Sequence, residues 1–141
     1  VIDSPPNLGP LADGALLAAE NVLFPSHANT IAQDSLQILF DEIDTLEDKF
    51  DDVDISTVGA VLNEVGRDGV STDVHDWFIE TFSEDYVFKI PDWAVVEHSI
   101  ESRSSIFNYN PEGAGYPWDK DKAEQLQEKY REIATHVEGL A

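Results

Sequence analysis

The 141-residue chain has no cysteine and no methionine, and only eight Lys+Arg against 29 Asp+Glu. Each scarcity excludes something. Without cysteine there is no disulfide, no thiolate zinc or iron–sulfur site and no cysteine nucleophile. With no initiator Met and an opening on Val1-Ile2-Asp3, the chain reads as a segment of a longer protein. No apolar run approaches the ~18 residues of a membrane span. No charged-then-apolar leader is present either, so the expected location is the cytoplasm, away from the membrane. The formal net charge of −21 disfavours binding to a nucleic-acid backbone.

What is present suffices for a core. Hydrophobic residues make up 42%, including three Trp, four Tyr and seven Phe, so the length and composition fit one folded domain. The acids are spread along the whole chain, with one cluster at Glu47-Asp48 and Asp51-Asp52 to Asp54. A dedicated acidic tail would form a block. Acidic polar faces that keep their apolar spacing suit a protein working in molar salt, where the Debye length shrinks to ~3 Å and self-repulsion is screened.

Periodicity and punctuation give an alternating order. Val1-Ile2 reads as the end of a buried strand, and Asp3-Ser4-Pro5-Pro6-Asn7-Leu8-Gly9-Pro10 as a rigid turn. Residues 11–19 read as a short helix and 21–25 as a short buried strand stopped by Pro25. In 30–50, Ile31, Leu36, Leu39, Phe40, Ile43, Leu46 and Phe50 recur at helical spacing. Residues 57–63 are a small and apolar run, as in a strand covered on both faces. Residues 71–82 read as helix, 86–91 as a strand ended by Pro91, and 94–103 as a short helix. An aromatic, Gly/Pro-rich loop is expected over 104–118, and a final amphipathic helix over 119–138. This alternation predicts an α/β fold: a three-layer α/β/α arrangement around a mostly parallel sheet.

In such sheets ligands sit at the carboxyl ends of the strands. Three expected strand ends carry distinctive residues: Asp3-Ser4-Pro5-Pro6, Asn63, and Pro91-Asp92. An Asp directly after a hydrophobic strand suits a carboxylate that holds the water shell of a nucleotide-bound Mg²⁺. The same residue also serves as a plain strand cap before a proline turn. Asn63 can equally cap a turn, and Pro91 can simply stop a strand.

The ordered set Val1-Ile2-Asp3-Ser4-Pro5-Pro6, Val22-Leu23-Phe24-Pro25, Gly59-Ala60-Val61-Leu62-Asn63 and Val87-Phe88-Lys89-Ile90-Pro91 resembles the ParA/Soj/MinD family of deviant Walker ATPases. The likeness continues through Val95 to Ser99 and Ser105 to Tyr109. The resemblance implies the C-terminal half of a P-loop-type ATPase that binds ATP or ADP with Mg²⁺ as a homodimer and answers to a ParB-like partner. It assigns Asp3 as the catalytic Walker B carboxylate, holding Mg²⁺ through water, and Ser4, Pro5, Pro6 and Asn7 as the switch loop. It assigns Asn63, Pro91 and Asp92 to the adenine side of the pocket. A MinD-like positioning ATPase and a non-catalytic α/β interaction module are the alternatives.

Two family features are missing. No GxxxxGK[ST] loop occurs anywhere, so the chain alone is expected not to hydrolyse ATP. The family's basic DNA-binding stretch is also absent: only Arg67 and Arg103 lie near candidate surfaces, and two cations among 29 acids make a poor phosphate patch. In 119–138, Lys120, Lys122, Lys129 and Arg131 are outnumbered by acids, so this helix is expected to pack on the sheet rather than lie on lipid.

Overall fold

The computed structural model describes residues 1–4, 9–66 and 69–140. Helix α1 (Pro10–Ala19) leads into strand β1 (Asn21–His27). Then follow α2 (Ile31–Lys49), β2 (Ser56–Val65), α3 (Gly69–Phe82), β3 (Val87–Pro91), α4 (Ala94–Glu101), the short α5 (Pro111–Ala114) and α6 (Lys120–Glu138). The three strands form one parallel sheet in the order β1-β2-β3. This is the expected α/β class with helices on both faces.

The layers follow from the two-residue period of the central strand. Ala60 and Leu62 of β2 bury against Phe24, Leu36, Ile43, Val74 and Phe78, which places α1, α2 and α3 on one face. Val61, between them, buries on the opposite face with Ile90, Val95, Ala123 and Leu126, which places α4 and α6 there. Ala60 and Leu62 are fully buried. Both β–α–β crossovers therefore run over the same face, as successive right-handed connections between neighbouring strands require.

Two sequence expectations are corrected. Val1-Ile2 is not a strand: residues 1–4 are irregular and exposed, and among the described residues β1 has β2 as its one strand neighbour. Two residues are too few to make a ladder of their own. The 104–118 segment is not loop throughout. The Asn110 side chain accepts from the Gly113 N–H at 3.1 Å, Pro111 supplies a fixed φ at the first position, and α5 ends at Gly115 in the left-handed region. A 3₁₀ turn, Pro117–Asp119, then leads into α6.

The amino end of β2 is bulged. Leu23 pairs with Gly59 where Val22 pairs with Thr57, so Val58 is the extra residue. The Val58 carbonyl accepts from His136 Nε2 of α6 at 2.6 Å, which requires that nitrogen to carry the proton. Gly59 makes this possible with φ +137; a Cβ there would lie 2.5 Å from the Tyr86 carbonyl oxygen. Gly59→Ala is thus expected to cost on the order of 1–3 kcal/mol through strain. Gly14→Ala, in helix α1 with nothing within 4 Å of the new methyl, is expected to gain about 0.5–1 kcal/mol. Chemical denaturation of both variants checks the contrast; equal effects contradict it.

Candidate functional site

The parallel strands bring their carboxyl ends to one edge, where His27 of β1 stands level with Asn63 of β2. The Ala28 N–H donates to the Asn63 carbonyl at 3.2 Å, and the Asp92 N–H donates to the Val65 carbonyl at 3.4 Å. Ser71, buried at the start of α3, lies 3.5 Å from the Ala28 carbonyl. The edge is thereby stitched from three strand ends and the first turn of a helix.

A second bulge shapes this edge. Toward β3, Leu62 pairs with Lys89 and Val65 with Pro91, so β2 carries one extra residue there. Glu64 takes it up in the left-handed region, with φ 54. Bulges with a strained residue re-aim side chains beside functional sites. Here the bulge falls on Asn63-Glu64. The Glu64 carboxylate reaches across to His27, with Oε2 3.2 Å from Nδ1. Both side chains are well exposed, so this pair contributes little to stability.

The sequence-predicted residues divide as follows. Asn63, half-buried, and Pro91 with Asp92 share the edge. Asp3 lies on the exposed N-terminal coil and makes no hydrogen bond or ion pair among the described residues; Ser4 follows it there and lines a groove beside β1. Pro5, Pro6, Asn7 and Arg67 lie outside the described residues. Arg103 is an exposed turn residue with φ 51, beyond the far end of the eight-residue α4 and so about 12 Å along that helix from Asp92.

Do these residues fit a magnesium nucleotide? The Asn63 carboxamide donates and accepts, as a base edge requires. The triphosphate end finds no match among the described residues. Among the described residues no lysine or arginine follows the strand ends at this edge, and no group of three or more His, Cys, Asp or Glu is placed to hold a metal ion. The described residues thus offer an amide suited to a base edge and no match to the phosphates and their cation.

A polar cluster on the opposite face escaped the sequence reading. Asp119, 3% exposed, accepts at Oδ2 from His98 Nδ1 at 2.7 Å and from the Tyr109 hydroxyl at 3.1 Å. Tyr116 stacks flat on the His98 ring at 3.6 Å, and its hydroxyl donates to Glu101 at 3.3 Å. Trp118 meets Tyr116 edge-on and stays 70% exposed, whereas Tyr109 is buried. The cluster ties α4 to the head of α6. Nothing in the spacing of these residues marks Asp119 as different from the other acids; only tertiary packing desolvates it.

Comparison with protein-family models and with curated proteins finds no match.

Burial, and then the hydrogen bond to Asp119, push the Tyr109 hydroxyl up to about 12. The Glu101 charge likewise raises Tyr116 above its ordinary value. The fold therefore favours the neutral Tyr109 phenol. Its contribution is intact below pH 10 and is lost as pH rises toward 12. Tyr109→Phe removes the hydroxyl and is expected to cost about 1 kcal/mol near neutrality. The gap between wild type and variant is expected to narrow at pH 11, because only the wild type loses this term. Denaturation curves at both pH values check it; an unchanged gap contradicts it.

Proposed function

We propose that this chain is the base-binding part of a ParA/Soj-like partition ATPase. The observation that carries the reading is the convergence of Asn63, Pro91 and Asp92 at the carboxyl edge of a parallel sheet, with a bulge re-aiming the strand at Asn63. Open α/β sheets receive ligands at that edge. In the proposed assembly, ATP joins two copies, and a ParB-like partner stimulates hydrolysis.

A phosphate-binding loop, which this sequence lacks, is supplied by other polypeptide. On this reading Asp3 would hold the water shell of the Mg²⁺. The described residues then serve to orient the base and exclude water from it, and perform no phosphoryl transfer. The acidic surface belongs, on the same reading, to a salt-adapted cell. No helix among the described residues is long and apolar enough to cross a membrane.

A non-catalytic interaction module is the second reading. What favours it is the poor match of the described edge to a triphosphate and its cation.

The test is nucleotide affinity. Fluorescent ADP is expected to bind the 141-residue chain weakly through its base. Asn63→Ala is expected to weaken it about tenfold, the equivalent of one well-placed hydrogen bond of ~1.4 kcal/mol. Arg103→Ala is expected to leave it unchanged. Equal affinity in wild type and Asn63→Ala, or no affinity at all, favours the interaction module.

A further inference from the structure

The chain has only eight lysines and arginines, and three of them lie over aromatic rings. Lys49 stands over Phe50 at 5.5 Å, Lys122 over Trp93 at 5.6 Å and Arg131 over Phe107 at 5.6 Å. Trp118 is more exposed than any of these rings, at 70%, yet no described lysine or arginine lies over it or over its neighbour Tyr116. The most open aromatic corner of the molecule is thus left without a cation of its own.

That corner is stiff. The Tyr116 and Trp118 rings meet at 87° with centroids 5.7 Å apart, and Pro117 fixes the turn between them. Tyr116 is pinned by its stacking on His98 and by its bond to Glu101. The polar atoms that α4 presents there accept hydrogen bonds. Glu101 is exposed and has no cationic partner among the described residues. His98 gives its Nδ1 to the buried Asp119, so Nε2 of the neutral ring is an acceptor. That nitrogen reaches water: the side chain is 19% exposed, and no described group bonds to it. His98 and Glu101 are three residues apart on α4, hence neighbours on one helix face. Of the nearby cations, Lys122 is engaged on Trp93, and neither Lys120 nor Arg103 pairs with Glu101.

A flat ring to stack on, with acceptors beside it, is the complement of a planar cation that only donates. A guanidinium has that form: delocalised, always charged, weakly hydrated and able to stack. An ammonium carries the same charge but has no face to lay on a ring. We infer that the Tyr116–Trp118 corner, with Glu101 and His98 Nε2, is a guanidinium-binding site, filled by an arginine side chain of a partner polypeptide or by a small guanidinium compound. The net charge of −21 attracts every cation alike, so discrimination between cations rests on the corner.

The probes are methylguanidinium, its neutral isostere methylurea, butylammonium and a capped pentapeptide carrying one arginine. Each is titrated into the isotope-labelled 141-residue chain at low salt, where exposed charges are least screened. Methylguanidinium is expected to shift the Trp118 indole N–H and the His98 Nε2 resonance. Butylammonium and methylurea are expected to bind about fivefold more weakly or worse. Trp118→Ala, at an exposed side chain, and Glu101→Gln, which keeps an acceptor for Tyr116, are each expected to weaken methylguanidinium by about fivefold or more with the rest of the amide spectrum in place. Tighter binding of the pentapeptide than of methylguanidinium assigns the site to a polypeptide; equal binding assigns it to small compounds. Equal binding of butylammonium or methylurea, unchanged affinity in either variant, or no binding would each overturn the assignment. Nucleotide affinity plays no part in these readouts, so either proposal can fail while the other stands.

Discussion

Burial of β2 on both faces is the constraint on which everything else depends. Ala60 and Leu62 turn one way and Val61 the other, so a single five-residue stretch demands two helical layers. Remove either layer and a continuous apolar strand faces water, at ~25 cal/mol per Å² exposed. The sheet's parallel direction follows, because helical crossovers join strands that point the same way. The common carboxyl edge follows in turn. Parallel strands deliver His27, Asn63 and Pro91 to one end of the sheet, and a bulge at Asn63-Glu64 shapes it.

The charge distribution works within that frame. The acids stand on polar faces and leave both cores apolar. Two of them do structural work. Glu47, in the acidic cluster, accepts from the Ile55 N–H at 2.6 Å and ties the end of α2 to the entry of β2. Asp119 is taken out of water with two donors to hold it. A buried carboxylate losing one donor is left under-satisfied, which makes its partners matter more than the net worth of the pair. The groove beside β1 is the reverse case, where the described walls carry no charge in an acidic chain.

Most of the fold was legible. The 3–5 spacing of Leu36, Leu39, Phe40, Ile43 and Leu46 marked α2 to within two residues, and Pro91 ended β3 as expected. Val1-Ile2 failed because two apolar residues suggest a strand end but are too few to hold a ladder. The 104–118 segment hid α5 because Gly and Pro, read as breakers, here serve as its first residue and its terminator. Of the site, Pro91 and Asp92 were legible as a strand end, whereas Asn63 lies two residues inside β2, which runs on to Val65. The bulge at Glu64 was not, since a left-handed Glu leaves no mark in composition or period. The His98–Asp119–Tyr109 cluster joins residues from three segments, and no local pattern signals it.

The most direct measurement is amide chemical-shift mapping with adenosine, which carries the base without the phosphates that the described edge does not match. Shifts are expected at Ala28, Asn63 to Gly66 and Asp92 to Trp93, with the β1 groove and the amino ends of the strands undisturbed. Shifts confined to the groove, or none at saturating adenosine, would contradict a base-binding carboxyl edge.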